Sequence, residues 1–138
     1  PLFGQEEHLE VKSISSLQLD THVYNGHTSG ADVLWAGVPT LTLPGIKQSA
    51  RVGASLLAGL GLEGALVARD HRDYTDIAVA AVQSEPWLRA VRAKQAEARL
   101  TAPLFDVAAW VRGMEAVASM AWEVHAAGRL PMHVVAAR

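Results

Sequence analysis

The sequence predicts an α/β fold in which short parallel strands are flanked by helices and followed by a long C-terminal helix. Strand-like and helix-like stretches alternate between residues 14 and 68. Apolar residues then recur at helical spacing from residue 106 to about residue 126. Since alternating strands and helices form parallel β-α-β units with right-handed connections, the three predicted strands correspond to half of a doubly wound sheet.

The predicted strands cover residues 14–19, 38–43 and 64–68. The second is rich in β-branched residues and is stopped by Pro44 and Gly45. The residues before 14 are predicted to be irregular. In such sheets ligands bind beyond the carboxyl ends of the strands, so the segment after residue 19 is expected to carry the binding site.

Helices are predicted between and after these strands. Gly59 and Gly61 stop the second helix, Pro86 begins the fourth, and Gly128 closes the last. The predicted helices cover residues 28–36, residues 49–58, a stretch from residue 73, a stretch from residue 86, and residues 106–126.

Three tryptophans lie on apolar helical stripes of the sequence, and each is predicted to belong to the core. They are Trp35, Trp110 and Trp122. With 50% apolar residues, a chain of 138 residues has ample material for the core of one domain.

Composition excludes several classes of protein. The net charge of −2 and the lack of a basic block give no reason to expect a nucleic-acid partner. No apolar run approaches the roughly 20 residues that span a bilayer, so no membrane partner is expected. The chain has no cysteine, which excludes a disulfide-stapled secreted fold and permits a reducing compartment. It begins at Pro1 in the middle of a pattern and is therefore expected to be a fragment of a longer protein.

The most informative motif is the stretch NGHTSGAD at residues 25–32, between a predicted strand and a predicted helix. A Gly- and Ser/Thr-rich turn at this point directs free backbone N–H groups and the positive end of the helix dipole at one place, where anions and above all phosphates bind. His27, Thr28 and Ser29 add hydrogen-bonding side chains, and Asp32 could reach sugar hydroxyls. An alternative is a well-capped helix, with Thr28 or Ser29 as N-cap and Asp32 near the third helical position. Residue chemistry alone leaves both interpretations open.

The same motif resembles the donor-binding segment of the protein O-linked N-acetylglucosamine transferases. The resemblance runs roughly from residue 6 to residue 131. The residues that carry it are Leu19, Asp20, Thr21, residues 25–30, Asp32, residues 34–37, Pro39, residues 43–45, Arg51, Val52, Ala54, Ser55, Tyr74, residues 76–79, Val91, Arg92, residues 103–105, Trp122, Glu123 and residues 126–128.

This resemblance implies a glycosyltransferase of the GT-B type, which has two facing Rossmann-like domains. Residues 1–138 would be the C-terminal portion of the UDP-sugar-binding domain. The full-length protein would be an enzyme that transfers N-acetylglucosamine from UDP-N-acetylglucosamine to Ser or Thr hydroxyls of proteins, with inversion, in the cytoplasm, the nucleus or both. The isolated fragment is expected to be inactive, because the catalytic residues would lie elsewhere. No metal and no cofactor is expected.

The resemblance also assigns roles to residues of the motif. His27, Thr28 and Ser29 would contact the donor diphosphate, Asp32 would accept hydrogen bonds from the ribose hydroxyls, and Gly26 belongs to the same substrate-binding turn. Ser29 stands where many relatives have threonine, a change that keeps the hydroxyl.

A second segment, residues 5–11, departs in part from the family pattern. His8 matches a histidine that stacks against the uracil ring. Gln5, also assigned to the donor site, stands where relatives usually have a lysine, and Val11 replaces a basic residue. Both replacements remove positive charge from around UDP, and weaker donor affinity would follow.

Other kinds of site find little support. The remaining histidines have no metal-ligand spacing, and neither a nucleophile elbow nor a dinucleotide fingerprint is present. Two alternatives stay open. One is a protein O-fucosyltransferase that uses GDP-fucose, a related branch that typically carries a threonine-rich run at the position of residues 26–30. The other is a non-catalytic nucleotide-binding module, which the replacements at Gln5 and Val11 suggest.

Overall fold

The computed structural model describes residues 4–135, apart from the side chain of Gln5. It divides into two compact units, Pro1–Leu104 and Phe105–Arg138. Two short 3-10 helices occur, at Gln48–Ala50 and Pro103–Phe105. The remaining elements are α1 (Gln5–Ser13), β1 (Gln18–Leu19), α2 (Thr28–Trp35), β2 (Thr40–Leu41), α3 (Val52–Gly59), α4 (Glu63–Leu66), α5 (His71–Gln83), α6 (Glu85–Thr101) and α7 (Val107–Ala126).

The strands are parallel, which confirms the predicted α/β class. β1 pairs with β2 so that Gln18 lies beside Thr40 and Leu19 beside Leu41. A single parallel bridge between Thr42 and Val67 continues the pairing beyond β2. α2 connects the two strands, as the crossover helix of a β-α-β unit does.

Two local predictions are wrong. Residues 5–13, predicted to be irregular, form the helix α1, because Glu7 accepts the Gly4 N–H at 3.0 Å and acidic residues occupy the first turn. The predicted strand at 64–68 is mostly the helix α4, and within it Val67 forms an isolated parallel bridge with Thr42. The backbone closes a helical turn here, since the N–H of Ala65 donates to the Leu62 carbonyl at 3.2 Å and that of Val67 to the Glu63 carbonyl at 3.1 Å. Leu62 and Leu66, at the two ends of this turn, are 2% and 0% exposed.

The core of the first unit lies around the two strands. Leu41, Leu43 and Ala68 form a buried cluster, against which α5 packs Tyr74 and Ile77. Other fully buried side chains include Leu34, Leu57, Leu62, Leu66 and Val38.

A buried amide ties α6 to the C-terminal end of α2. Gln95 is fully buried, and its Nε2 donates to the Leu34 carbonyl at 2.7 Å and to the Val38 carbonyl at 3.3 Å. Because a helix end leaves backbone carbonyls without partners, a buried amide donor at this place satisfies them. The buried part of α6, which includes Val91, therefore contains a polar side chain with a structural function.

The prediction that three tryptophans belong to the core is wrong for the described residues. Trp35 is 41% exposed, Trp110 66% and Trp122 68%. The guanidinium of Arg99 lies 5.2 Å from the centre of the Trp35 ring. The long helix predicted at 106–126 is confirmed as α7, and none of its residues is buried. Among residues 4–135, no helix is both long enough and apolar enough to cross a membrane.

Candidate donor-binding site

The predicted motif lies where the sheet topology places ligand sites. β1 ends at Leu19, and the chain then turns through residues 20–27 before α2 begins at Thr28. The turn is therefore at the carboxyl end of a parallel strand and leads directly into the N-terminus of a helix. Two buried polar side chains, Asp20 and Asn25, hold its shape.

Asp20 is 7% exposed and accepts three hydrogen bonds. Its Oδ1 receives the backbone N–H of Thr21 at 3.0 Å and that of Gly26 at 2.8 Å, and its Oδ2 receives the Thr42 hydroxyl at 2.8 Å. A buried carboxylate needs such donors to offset its desolvation. The turn is thus tied to the strand segment that follows β2.

Asn25 joins the turn to two other segments. Its Oδ1 accepts the N–H of Gly53 at 3.0 Å, and its Nδ2 donates to the Thr21 carbonyl at 2.8 Å. Its backbone N–H donates to the Ser49 carbonyl at 2.9 Å. Since the residue is only 1% exposed, these bonds are shielded from competing water.

Gly53 has no room for a side chain at its contact with this network. A Cβ at this position would lie 2.5 Å from Asp20 Oδ2 and 2.6 Å from Thr42 Oγ1. The N-terminal part of α3 can therefore approach the network only through a glycine. We call Asp20, Asn25, Thr42 and Gly53 the polar anchor.

The first turn of α2 leaves backbone donors without partners. No described residue accepts a hydrogen bond from the N–H groups of Thr28, Ser29 or Gly30. The N-cap is His27, which makes no side-chain cap bond. The capping alternative therefore does not hold, because Thr28 and Ser29 lie inside the helix and Asp32 is its fifth residue. The N–H of Gly26, in contrast, is already taken by Asp20.

His27 is held in place on two sides. Its ring is stacked on that of Tyr24, with centroids 4.7 Å apart and an angle of 12° between the planes. Its Nε2 lies 3.3 Å from the Ser49 carbonyl oxygen, which leaves Nδ1 as the ring nitrogen available to a ligand. A His27 that donates to both Ser49 and an anion carries two N–H groups and hence a positive charge.

Asp32 contacts α1, and this contact brings two predicted site residues together. Its Oδ2 accepts a hydrogen bond from Lys12 Nζ at 2.9 Å and lies 3.6 Å from His8 Nε2. Sequence reasoning missed Lys12. The sequence pattern that could have identified Lys12 is its spacing of four residues from His8, which places both side chains on one face of a helix. Because the residues before 14 are predicted to be irregular, this pattern does not enter the sequence-based prediction. The backbone of Gln5 begins the same helix, and its side chain lies outside the described residues.

A cavity of about 310 Å³ lies beside the turn and includes Asp20, His22, His71 and Tyr74 in its wall. The Tyr74 hydroxyl donates to the Asp20 carbonyl at 2.9 Å, and His22 meets His71 edge to face at 4.9 Å. Burial raises the pKa of the Tyr74 phenol, and the nearby charge of Asp20 raises it further.

Within residues 4–135, no three His, Asp or Glu side chains are grouped so that they could hold a metal ion.

Comparison with known proteins identifies the family. Residues 1–114 match glycosyl transferase family 41. The chain belongs to this family. It is 38% identical over 129 residues to the probable UDP-N-acetylglucosamine–peptide N-acetylglucosaminyltransferase SEC of Arabidopsis thaliana, covering 94% of this chain and 13% of that protein. It is 35% identical over 131 residues to the UDP-N-acetylglucosamine–peptide N-acetylglucosaminyltransferase of Caenorhabditis elegans, covering 95% and 11% respectively.

The fold comparison agrees with the sequence. A solved structure of a mutant O-GlcNAc transferase from Thermobaculum terrenum has a TM-score of 0.68 and 30% identity to this chain. The match covers 75% of this chain and 20% of that one. The predicted family and the predicted α/β fold of a GT-B glycosyltransferase are confirmed. The chain spans only 13% and 11% of the length of the relatives from Arabidopsis thaliana and Caenorhabditis elegans.

Proposed function

We propose that this chain forms part of the nucleotide-binding domain of a protein glycosyltransferase whose donor is UDP-N-acetylglucosamine. The complete protein would transfer N-acetylglucosamine to Ser or Thr hydroxyls of other proteins, with inversion at the anomeric carbon and without a metal ion. The cytoplasm, the nucleus or both would be its location. Family membership supports the reaction class, and the relatives' names support the donor.

The observation that carries the proposal is the row of unpartnered N–H groups at Thr28, Ser29 and Gly30. Backbone donors without partners at a helix N-terminus bind anions, and the helix dipole adds to the attraction. Thr28 and Ser29 are exposed residues, and each carries a hydroxyl that can add a hydrogen bond. A diphosphate satisfies all of these donors at once.

The residues around this row fit the other parts of a nucleoside diphosphate. Asp32 lies one helical turn beyond Thr28, within reach of a ribose attached to the diphosphate. His8, which is exposed and close to Asp32, offers a flat ring for the base. His27 and the hydroxyls of Thr28 and Ser29 would contact the diphosphate itself, and Gly26 would allow its close approach.

The role of these groups in the reaction is electrostatic. When the bond between sugar and diphosphate breaks, negative charge grows on the leaving phosphate oxygen. Fixed N–H donors, and His27 when it carries two protons, stabilise this charge without reorganising during the reaction. The polar anchor keeps the donors in place before the substrate binds. No residue of this chain is proposed as the base or the nucleophile.

Titration of UDP into the full-length protein by isothermal calorimetry tests the proposal, together with transfer assays on a Ser/Thr peptide. UDP binding with transfer from UDP-N-acetylglucosamine supports it. Preference for GDP and transfer from GDP-fucose would assign the protein to the fucosyltransferase branch instead. UDP binding without transfer would indicate the non-catalytic module.

The Asp32→Ala variant tests the assignment of the ribose contact. We expect it to weaken UDP binding by about 1–3 kcal/mol, because the ribose hydroxyls lose their acceptor. Asp76→Ala is the matched control, since Asp76 is a carboxylate on α5 with a side chain that is 70% exposed. Equal UDP affinity in the wild type and both variants would show that Asp32 does not contact the nucleotide.

A further inference from the structure

An ion pair links the two helices that carry the predicted nucleotide contacts. Lys12 on α1 donates to Asp32 Oδ2 on α2 across 20 residues of sequence. The Lys12 side chain is 16% exposed, whereas that of Asp32 is 35% exposed and that of His8 52% exposed. Lys12 is therefore the inner member of the group, and its ammonium is directed at the carboxylate.

This contact occupies only one of the two carboxylate oxygens. Lys12 and His8 both approach Oδ2, and no described residue donates to Oδ1. An aspartate anchored through one oxygen has a defined side-chain rotamer, so the direction of the other oxygen is fixed. That oxygen is the one available to a hydroxyl of a bound sugar.

The charge of Lys12 also matters for the neighbouring anion site. Asp32 is one helical turn from the free N–H of Thr28, so an uncompensated carboxylate would repel a diphosphate bound there. The ammonium at 2.9 Å offsets this repulsion. Gln5 and Val11 cannot supply a positive charge, and the Val11 side chain is largely exposed, at 54%.

We infer that Lys12 is a positioning residue of the donor site, which orients Asp32 and neutralises it for the binding of a nucleoside diphosphate. The inference rests on the proposed function. It differs from a direct contact between Lys12 and phosphate, because Lys12 acts through Asp32. It also differs from a purely structural link between α1 and α2, which would affect stability but not ligand affinity.

A double-mutant cycle on the full-length protein tests it, with UDP as the probe in calorimetry. The variants are Lys12→Met, Asp32→Asn and the double mutant, with Lys12→Arg as the conservative control. We expect Lys12→Met to weaken UDP binding roughly three- to tenfold and Lys12→Arg to retain most of the affinity. In the Asp32→Asn background, Lys12→Met should have almost no further effect, because the carboxylate through which it acts is gone.

Each outcome has a distinct meaning. UDP affinity that is unchanged in Lys12→Met, even with a lower melting temperature, would overturn the inference and leave only a structural link. Equal losses in both backgrounds would also overturn it, in favour of a direct phosphate contact. A wild-type protein that does not bind UDP would instead overturn the proposed function, and this inference with it.

Discussion

The two sides of the candidate site are held by different kinds of interaction. On the side of the turn, Asp20 and Asn25 are buried to 7% and 1% exposure and bond mainly to backbone N–H and C=O groups. On the side of α1, the contacts of Asp32 with Lys12 and His8 are made at partly exposed side chains.

This difference indicates which part of the site is preorganised and which part is adjustable. Buried hydrogen bonds are costly to break, because their groups are left unsatisfied in an apolar environment. Partly exposed ion pairs contribute less and weaken in salt. The turn side is therefore a fixed frame, and the α1 side depends on a contact that solution conditions can change.

The largest expected effect comes from removing the carboxylate of the polar anchor. Asp20→Ala leaves the N–H groups of Thr21 and Gly26 and the Thr42 hydroxyl without their acceptor. We expect the free energy of local opening of the turn to fall by about 3 kcal/mol, measured by hydrogen exchange of peptides that cover it in the full-length protein. Asp20→Asn keeps one oxygen and should lose less. Unchanged exchange in Asp20→Ala would mean that the turn does not depend on the anchor.

The next largest loss of stability is expected from a steric clash at Gly53. Gly53→Ala places a methyl group within 2.5 Å of Asp20 Oδ2, so we expect a loss of stability of about 1–3 kcal/mol. Gly64→Ala is the matched control, because a Cβ on Gly64 meets nothing within 4 Å. Hydrogen exchange or thermal unfolding of the full-length protein measures both. Similar behaviour of the two variants would contradict the close packing of α3 on the anchor.

A smaller loss of stability is expected when a single neutral hydrogen-bond donor is removed. Tyr74→Phe removes the hydroxyl that donates to the Asp20 carbonyl at 2.9 Å, and should cost about 0.5–1.5 kcal/mol. Tyr24→Phe serves as its control, since Tyr24 is 62% exposed and contacts His27 through its ring face. If Tyr74→Phe destabilises no more than Tyr24→Phe, the hydroxyl does not support the turn.

The smallest effect is expected at a surface ion pair. The hydrogen bond from the Arg69 side chain lowers the pKa of the partly buried Asp73 carboxyl to about 2 from an ordinary value of 3.8. The stabilisation is therefore complete above about pH 4 and is lost as the pH falls through about 2. Near pH 6, Asp73→Asn should lower the melting temperature by no more than about 2 °C, and this difference should vanish near pH 2. A difference that persists in acid would exclude the ion pair as its cause. Asp76 lies 3.8 Å from its partner Arg72, so Asp76→Asn should lower the melting temperature by a smaller amount.

Features that depend on local sequence could be predicted well. The helix expected at 28–36 is observed at Thr28–Trp35, and that expected at 106–126 at Val107–Ala126. The first follows the turn of the NGHTSGAD motif, and the second has strong apolar periodicity and is closed by Gly128. The turn before α2 could be identified because glycines and small polar residues have local conformational preferences.

Features that depend on distant partners could not be predicted. α1 is linked through Lys12 to a residue 20 positions away, and Gly53 is required by atoms of Asp20 and Thr42. No local pattern contains these contacts. The exposed tryptophans of α7 illustrate the same limit. The apolar stripe is sufficient to predict the helix, but it does not show whether other residues cover that stripe.

The bonds around Asn25 also bear on the chemical ageing of the protein. An Asn-Gly pair deamidates when the glycine nitrogen attacks the side-chain carbonyl carbon of the asparagine. Here the Gly26 N–H is engaged by Asp20, and the Asn25 oxygen is engaged by Gly53. Attack therefore requires the turn to open first, and the extent of conversion of Asn25 to aspartate or isoaspartate would measure how much time the turn before α2 has spent open.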